Sequence, residues 1–298
     1  MSQRVNKVLE RFVSRIEHAE ALDPLASKLA ELASPLLARR WARGALSGTP
    51  IGHPIHPLLV AAPIGSWLGA NCLDVFGGAK ARPAARCLVG LGMAAAAPAA
   101  ITGASDWLYT EGAERRVGLV HAVGNYAALG CYLQSWLLRP RHQRLGAVLA
   151  GVGTAALAVT GWLGGHLVYA RGVGVDTTAF QPAPVEWTAA VAATALRPDR
   201  PTLVHVEGVP IALVFVDGQL HAIADRCSHR GGPLHEGAYS DGCLTCPWHG
   251  SRFRVADGQV LVGPATRSQR VYEVRTRDGM VEVRRPDEAG SLRANPIA

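Results

Sequence analysis

Four long apolar stretches dominate the first half of the chain, at residues 56–76, 86–105, 117–138 and 145–169. Each reaches the length of about 20 residues that a helix needs to cross a hydrocarbon core. Their interiors hold almost no Lys, Arg, Asp or Glu, and the last is uncharged all round, whereas helices of a soluble bundle alternate a charged face with an apolar one. The second is built mostly of Ala and Gly with Pro98 inside, a composition that suits close helix packing, with neighbours satisfying the carbonyl that proline frees. The connections at 77–85, 106–116 and 139–144 are short, as antiparallel neighbours require. The pattern therefore predicts a four-helix transmembrane bundle over residues 45–172.

Ahead of it, in a helical segment spanning 1–44, the first 18 residues form a cationic amphipathic helix. Val5, Val8, Leu9, Phe12, Val13 and Ile16 share one face, and Arg4, Lys7, Arg11 and Arg15 the other. Such a helix either lies on an anionic lipid leaflet or packs on a domain. After the fourth stretch comes a linker at 173–184 that carries Pro182 and Pro184, long enough for a mobile head. A polar domain at 185–287 and a tail at 288–298 complete the chain, and the polar part dilutes the mean hydropathy to +0.13.

The formal charge of +7 and pI near 9.4 come from residues spread over the loops that flank the apolar stretches. Lipid head groups are the simpler partner for such a distribution, and nucleic acid is not expected. An even number of spans puts the N-terminus and the polar domain on one side. Six Lys or Arg residues near the spans lie on that side and six on the other, so the charge rule alone leaves a tie. No apolar leader opens the chain, and Arg39-Arg40 lies too far in to read as a twin-arginine signal. With the amphipathic helix, these features favour the bacterial cytoplasmic membrane with the polar domain on the cytoplasmic side.

Chemistry concentrates in two short runs, Cys227-Ser-His229 and Cys246-Pro-Trp-His249, set among turn formers such as Gly231-Gly232-Pro233, Gly237, Asp241-Gly242 and Gly250. Two thiolates and two imidazoles suit a mixed-ligand iron–sulfur site. Replacing two thiolates by neutral imidazoles removes negative charge, which moves the reduction potential from about −400 mV to about −150 to +300 mV. Cys243-Leu-Thr-Cys246 offers a competing zinc reading, in which Cys243 joins Cys227 and the histidines. In the iron–sulfur reading Cys243 is a packing thiol. His205, His221 and His235 lie outside the ligand runs and read as strand or loop histidines.

With these runs in place, residues 185–286 resemble the Rieske family, which implies an all-β [2Fe-2S] ferredoxin-like domain. The resemblance implies Cys227, His229, Cys246 and His249 as cluster ligands. It also implies Gly250, Ser251 and Pro264 as the surrounding shell, in which backbone amides and a hydroxyl bond to the sulfurs. Two departures stand out. Where Rieske proteins of respiratory cytochrome complexes carry two further cysteines, this chain has Gly232 and Trp248, and where they place a hydrogen-bonding tyrosine it has Phe253. Losing a donor lowers a metal site's potential, so the resemblance implies the ferredoxin and oxygenase type of low or intermediate potential. The missing cysteine pair also fits a cytoplasmic location.

The helical half resembles an uncharacterised family of bacterial four-helix membrane domains, through Gly52-His-Pro-Ile-His-Pro57, Thr102-Gly, Asp106-Trp107, Val117-Gly-Leu-Val-His121 and Gly161-Trp-Leu-Gly-Gly-His166. Threading the spans puts His53, His56, His121, His166 and Asp106 at one membrane face, that of the polar domain. Ionisable groups at membrane depth are functional candidates by default. Facing imidazoles would ligate a haem b, or bind and deprotonate a quinol. The bland reading keeps them as interface or capping residues.

The leading expectation is a membrane-anchored electron-transfer protein, an electron-transfer component of an oxidoreductase system rather than a self-contained catalyst, with a redox protein or a quinone as partner. The alternatives are a ferredoxin component serving an oxygenase, with the helices as anchor, and a redox sensor or assembly factor. About a dozen residues follow the polar domain, too few for a mononuclear iron site of two histidines and a carboxylate. No Gly-x-Gly-x-x-Gly run follows a strand, so a separate reductase is expected.

Overall fold

The computed structural model describes residues 2–286, with side chains from Lys7 onward. The expected tail at 288–298, residue 287 and the side chains of Arg4 and Val5 lie outside the described residues. In chain order the α-helices are α1 (Ser2–Glu17), α2 (Asp23–Ala33), α3 (Arg40–Ser47), α4 (His56–Leu59), α5 (Ala61–Phe76), α6 (Arg82–Trp107), α7 (Gly112–Leu138) and α8 (Gln143–Tyr169). Ten strands follow: β1 (Thr188–Ala192), β2 (Thr202–Val206), β3 (Val209–Val216), β4 (Gln219–Ala224), β5 (Ala238–Ser240), β6 (Cys243–Thr245), β7 (Arg252–Arg254), β8 (Val260–Val262), β9 (Val271–Arg277) and β10 (Met280–Arg284). The chain divides into two compact units. Among the described residues a helical unit takes 2–38 and 55–173, and a β unit takes 39–54 and 174–286.

In the helical unit α5 packs on α6 and α7 on α8. Small residues make the close approaches that the composition of the second span predicts. The Trp67 indole fills the space where a Cβ on Gly92 would stand, and it donates to the Val89 carbonyl at 3.2 Å. Trp67 stacks on Tyr132 with ring centroids 4.0 Å apart. Three helical segments, His56–Phe76, Ala79–Trp107 and Gln143–Tyr169, are long and apolar enough to cross a membrane. The third expected span, α7, has 27 residues but falls short on apolarity. Its polar groups are answered inside the unit: Thr160 donates to the Asn125 amide oxygen at 2.7 Å, Tyr132 Oη bonds Thr154 at 2.8 Å, and Ser135 donates to the Gly146 carbonyl at 2.6 Å. Arg139 clasps Asp74 through both nitrogens at 2.7 and 2.6 Å, and both side chains are almost wholly buried.

The amphipathic N-terminal helix packs on this unit, the second of the two readings its pattern allowed. Val13 and Ile16 are buried against Val117 and Leu163. Glu17 accepts from His166 Nε2 at 2.9 Å, and Asp23 holds Arg116 through two bonds of 2.7 Å. Val8 and Phe12 remain exposed.

The β unit has a six-stranded antiparallel sheet in the order β1-β10-β9-β4-β3-β2 and a four-stranded one in the order β5-β6-β7-β8. Its hairpins turn at Glu207-Gly208, Asp217-Gly218, Asp241-Gly242 and Asp278-Gly279, where both residues take positive φ as two-residue hairpin loops demand. Strand β3 is buried on both faces, so its alternation feeds two cores. Val209, Ile211 and Leu213 join Val204, Val206, Val281 and Val283 on one side. Ala212 and Val214 join Ile223, Leu234, Leu244 and Phe253 on the other, and that second core also holds Cys227 and Cys246. The segment expected as a linker at 173–184, long enough for a mobile head, makes bonds within the β unit from Thr177 onward. Thr177 Oγ1 donates to the Cys227 carbonyl at 2.9 Å, Arg270 to Gln181 O at 2.8 Å, and Arg285 N to Pro184 O at 2.6 Å.

Candidate functional site

Two short loops carry the thiols and imidazoles, one after β4 and one between β6 and β7. Each closes on itself by backbone bonds. In the first, Cys227 N donates to Gly232 O at 2.9 Å and Gly231 N to Cys227 O at 2.8 Å. In the second, Cys246 N donates to Ser251 O at 2.8 Å and Gly250 N to Cys246 O at 3.0 Å. A candidate ligand cysteine therefore opens each turn, and the candidate histidine follows two or three residues on. The loops are pinned from outside as well. Ser228 Oγ donates to Arg267 O at 2.8 Å, Gln269 Nε2 to Arg226 O at 2.6 Å, and buried Asp225 accepts from His235 N and Nδ1 at 2.7 and 2.9 Å.

Cys227, His229, Cys246 and His249 come together. The His229 and His249 rings stand 5.0 Å apart, edge to face, and the two thiols share a hydrogen bond. That bond is the largest influence on both thiols, raising Cys227 and lowering Cys246. Burial pushes Cys227 further up, while the N–H groups of Trp248 and His249 help hold Cys246 down. Burial, then the neighbouring His249 and Arg230, lower His229 to about 3, so its imidazole is neutral and ready to act as a ligand. Backbone N–H groups of His229 and Arg230 likewise point at the Cys227 sulfur.

This donor set fits a two-iron cluster. A two-iron cluster asks for a pair of thiolates and a pair of imidazoles, which Cys227, Cys246, His229 and His249 would supply. Cys243, the fifth donor of the zinc reading, is buried and donates to Asp241 O at 3.4 Å. The shell residues also converge. Ser251 is wholly buried and its Oγ accepts from Ala265 N at 2.9 Å, which joins the second loop to the cis Gly263-Pro264 turn. A Cβ on Gly232 would sit 2.7 Å from Cys246 Sγ and 3.0 Å from the Trp248 ring, so these two positions face each other as a cysteine pair would. Phe253, fully buried, offers no hydroxyl.

The membrane histidines meet different partners. His53 is exposed and belongs to the β unit. His166 is held by Glu17. His56 and His121 each donate Nδ1–H to a carbonyl of another helix, to Ala99 at 2.9 Å and Thr160 at 2.7 Å. His121 Nε2 accepts from Asn125 at 3.0 Å. Asp106, partly buried, lies in the last turn of α6. Thr177, Ser228, Gln269 and the Asp225–His235 pair were not singled out from the sequence as parts of the site. Only their nearness to the ligand runs could have pointed to Ser228 and Asp225, and nothing local marks Thr177 or Gln269.

Residues 186–273 match the Rieske [2Fe-2S] domain family, and residues 52–177 match a family described as a predicted membrane protein, DUF2231. The chain is similar to the anthranilate 1,2-dioxygenase ferredoxin subunit of Burkholderia cepacia, 40% identical over 74 residues, covering 25% of this chain and 68% of that protein. It is similar to ferredoxin CarAc of Metapseudomonas resinovorans, 33% identical over 98 residues, covering 33% of this chain and 92% of that one. Apoptosis-inducing factor 3 of Mus musculus is 33% identical over 82 residues, 28% of this chain, and the match spans 14% of that protein.

Proposed function

The chain belongs to the Rieske [2Fe-2S] family through its C-terminal domain, and from that premise we propose a membrane-anchored one-electron carrier whose cluster is held by Cys227, His229, Cys246 and His249. The observation that carries this reading is the convergence of one thiol pair and one imidazole pair in a buried site. When bound, the cluster supplies reversible one-electron chemistry. The chain's own residues set its environment. The N–H groups of His229, Arg230, Trp248 and His249 are directed at the thiolates, and Ser251, its lone pair engaged by Ala265, keeps its own proton to donate. Gly250 and the Pro264 turn complete the shell.

The ferredoxin relatives are named for dioxygenase systems, which supports a redox protein, an oxygenase among them, as partner. The helical unit serves as the anchor in this reading, and the missing cysteine pair at Gly232 and Trp248 supports a β unit on the cytoplasmic side. Anaerobically purified, dithionite-reduced protein is expected to give the rhombic electron paramagnetic resonance signal of a two-histidine cluster, abolished in Cys227→Ser. A featureless spectrum from iron-replete protein would overturn the proposal. Protease cleavage of the β unit in inverted membrane vesicles but not in sealed spheroplasts is expected, and the reverse pattern would place it outside.

A second reading, in which His56 and His121 serve a membrane redox partner, is favoured by one feature. Both imidazoles donate Nδ1–H to backbone carbonyls, which fixes tautomer and ring orientation as working histidines require. Haem b is the weaker form of it, because iron would displace Asn125 from His121 Nε2. A quinol would meet Nε2 by hydrogen bonding instead. Quinol-dependent reduction of the cluster, slowed in His56→Ala and His121→Ala at unchanged potential, tests it; equal rates in all three proteins would remove it.

A further inference from the structure

Residues 39–54 precede the first apolar helix and lie outside the Rieske match, residues 39–51 outside both family matches, yet they pack with the β unit. Their place there is specific. Thr49 Oγ1 donates to the Ala265 carbonyl at 2.8 Å, and a Cβ built on Gly263 would press on Thr49 Oγ1 and lie 3.1 Å from Gly44 Cα. Arg267 reaches back to the Gly52 carbonyl at 3.4 Å. Helix α3 therefore lies against the Gly263–Ala265 turn, whose Ala265 N–H is already bonded to Ser251.

Arg43, on the same helix, points at the second ligand loop. Its Nη1 lies 3.0 Å from where a Cβ on Gly250 would stand, and Gly250 directly follows His249. The Arg43 Nε is shut off from solvent and has no hydrogen-bond partner among the described residues. The Arg43 side chain as a whole is half-buried, with its enclosed Nε beside this loop.

We infer that the segment Arg39–Pro54 is an added part of the cluster site, and that Arg43 is a positioning residue whose fixed charge raises the site's reduction potential. The inference rests on the ligand assignment proposed above. Two ferric ions, two sulfides, two thiolates and two neutral imidazoles sum to no net charge, and one added electron leaves one negative charge. A nearby cation favours that reduced state by Coulomb attraction, strengthened where water is excluded. It acts in the same direction as the hydroxyl that Phe253 lacks, and so offsets that loss.

The test is a redox titration, followed by electron paramagnetic resonance, of the full-length protein in detergent and of Arg43→Leu, Arg43→Gln and Arg43→Lys. Loss of the charge is expected to shift the reduced-to-oxidised ratio at a fixed ambient potential by about three- to tenfold, a midpoint lower by about 28 to 59 mV for a one-electron couple. Arg43→Lys should stay near the parent value, with iron and sulfide content and line shape unchanged throughout. Arg43→Gln keeps a polar chain of similar reach should Arg43→Leu load poorly. A parent-like midpoint in both neutral variants, or an equal drop in Arg43→Lys, overturns the role of the charge. Absence of a two-histidine signal from the parent protein instead overturns the ligand assignment, and this inference with it.

Discussion

Replacing Ser251 by Ala removes one oxygen from a position that solvent does not reach. Two separable effects follow. The Ala265 N–H, which now reaches Ser251 Oγ at 2.9 Å, is left buried without its acceptor, a cost of about 1–3 kcal/mol. The hydroxyl proton is lost as well. Hydrogen bonds to charged groups are worth about 1.5–3 kcal/mol against about 0.5–1.5 kcal/mol for neutral ones, so a donor aimed at the cluster favours the more negative, reduced state by about 1–1.5 kcal/mol. With about 1.36 kcal/mol and about 59 mV per tenfold change in a one-electron equilibrium, the midpoint should fall by about 45–65 mV. Film voltammetry reads the potential, and the temperature at which visible cluster absorbance is lost reads the stability. Ser251→Thr keeps the hydroxyl and should retain most of both. An intact cluster with the parent midpoint in Ser251→Ala would mean that the hydroxyl is not directed at the cluster, and the shell reading of this residue would fail.

Three further outcomes are expected. His249→Cys, if it retains a cluster, should move the midpoint by several hundred mV towards the all-cysteine value of about −400 mV, and an unaltered spectrum would remove His249 from the ligand set. Asp74→Asn strands the buried Arg139 charge and should destabilise the helical unit by about 3–5 kcal/mol in detergent unfolding, with Asp74→Leu/Arg139→Met recovering most of it; equal losses in the single and double variants would contradict the pairing. In protein prepared without iron, His229 stays neutral down to about pH 3, whereas in the unfolded chain it takes up a proton below about pH 6.5. The unfolded state then binds more protons, so stability falls as pH drops through that window. Hydrogen exchange of the ligand loops should follow this slope, and His229→Gln should flatten it; an identical slope in the variant would assign the acid sensitivity elsewhere.

Much of the candidate site was legible because it is local. The spacing Cys-x-His and Cys-x-x-His fits turns of four to six residues that close through their own backbone, and glycines stand where the turns need them. Gly232 and Trp248 read as replacements for a cysteine pair, and in the folded chain they do face each other. Helix lengths were legible for the same reason, since an apolar run of membrane length has few alternatives. The third stretch was read as apolar because its polar groups are few and spaced. Their partners, Thr160, Thr154 and Gly146, sit on another helix that no local pattern names.

By itself, then, the amino-acid sequence determined the two kinds of unit, the helical spans and the four candidate ligands. These depend on periodicity, length and short loops, which act over a few residues. Tertiary structure alone decided which groups remain uncommitted. It drew His166 into a hydrogen bond with Glu17 across 149 positions of chain, and it assigned His53 to the β unit. It also brought residues 39–54 onto the Gly263–Ala265 turn and Thr177 onto Cys227. The physical reason is one of partner choice. A histidine or arginine carries the same donors anywhere in a chain, and what it does is fixed by which distant acceptor the packed fold presents to it.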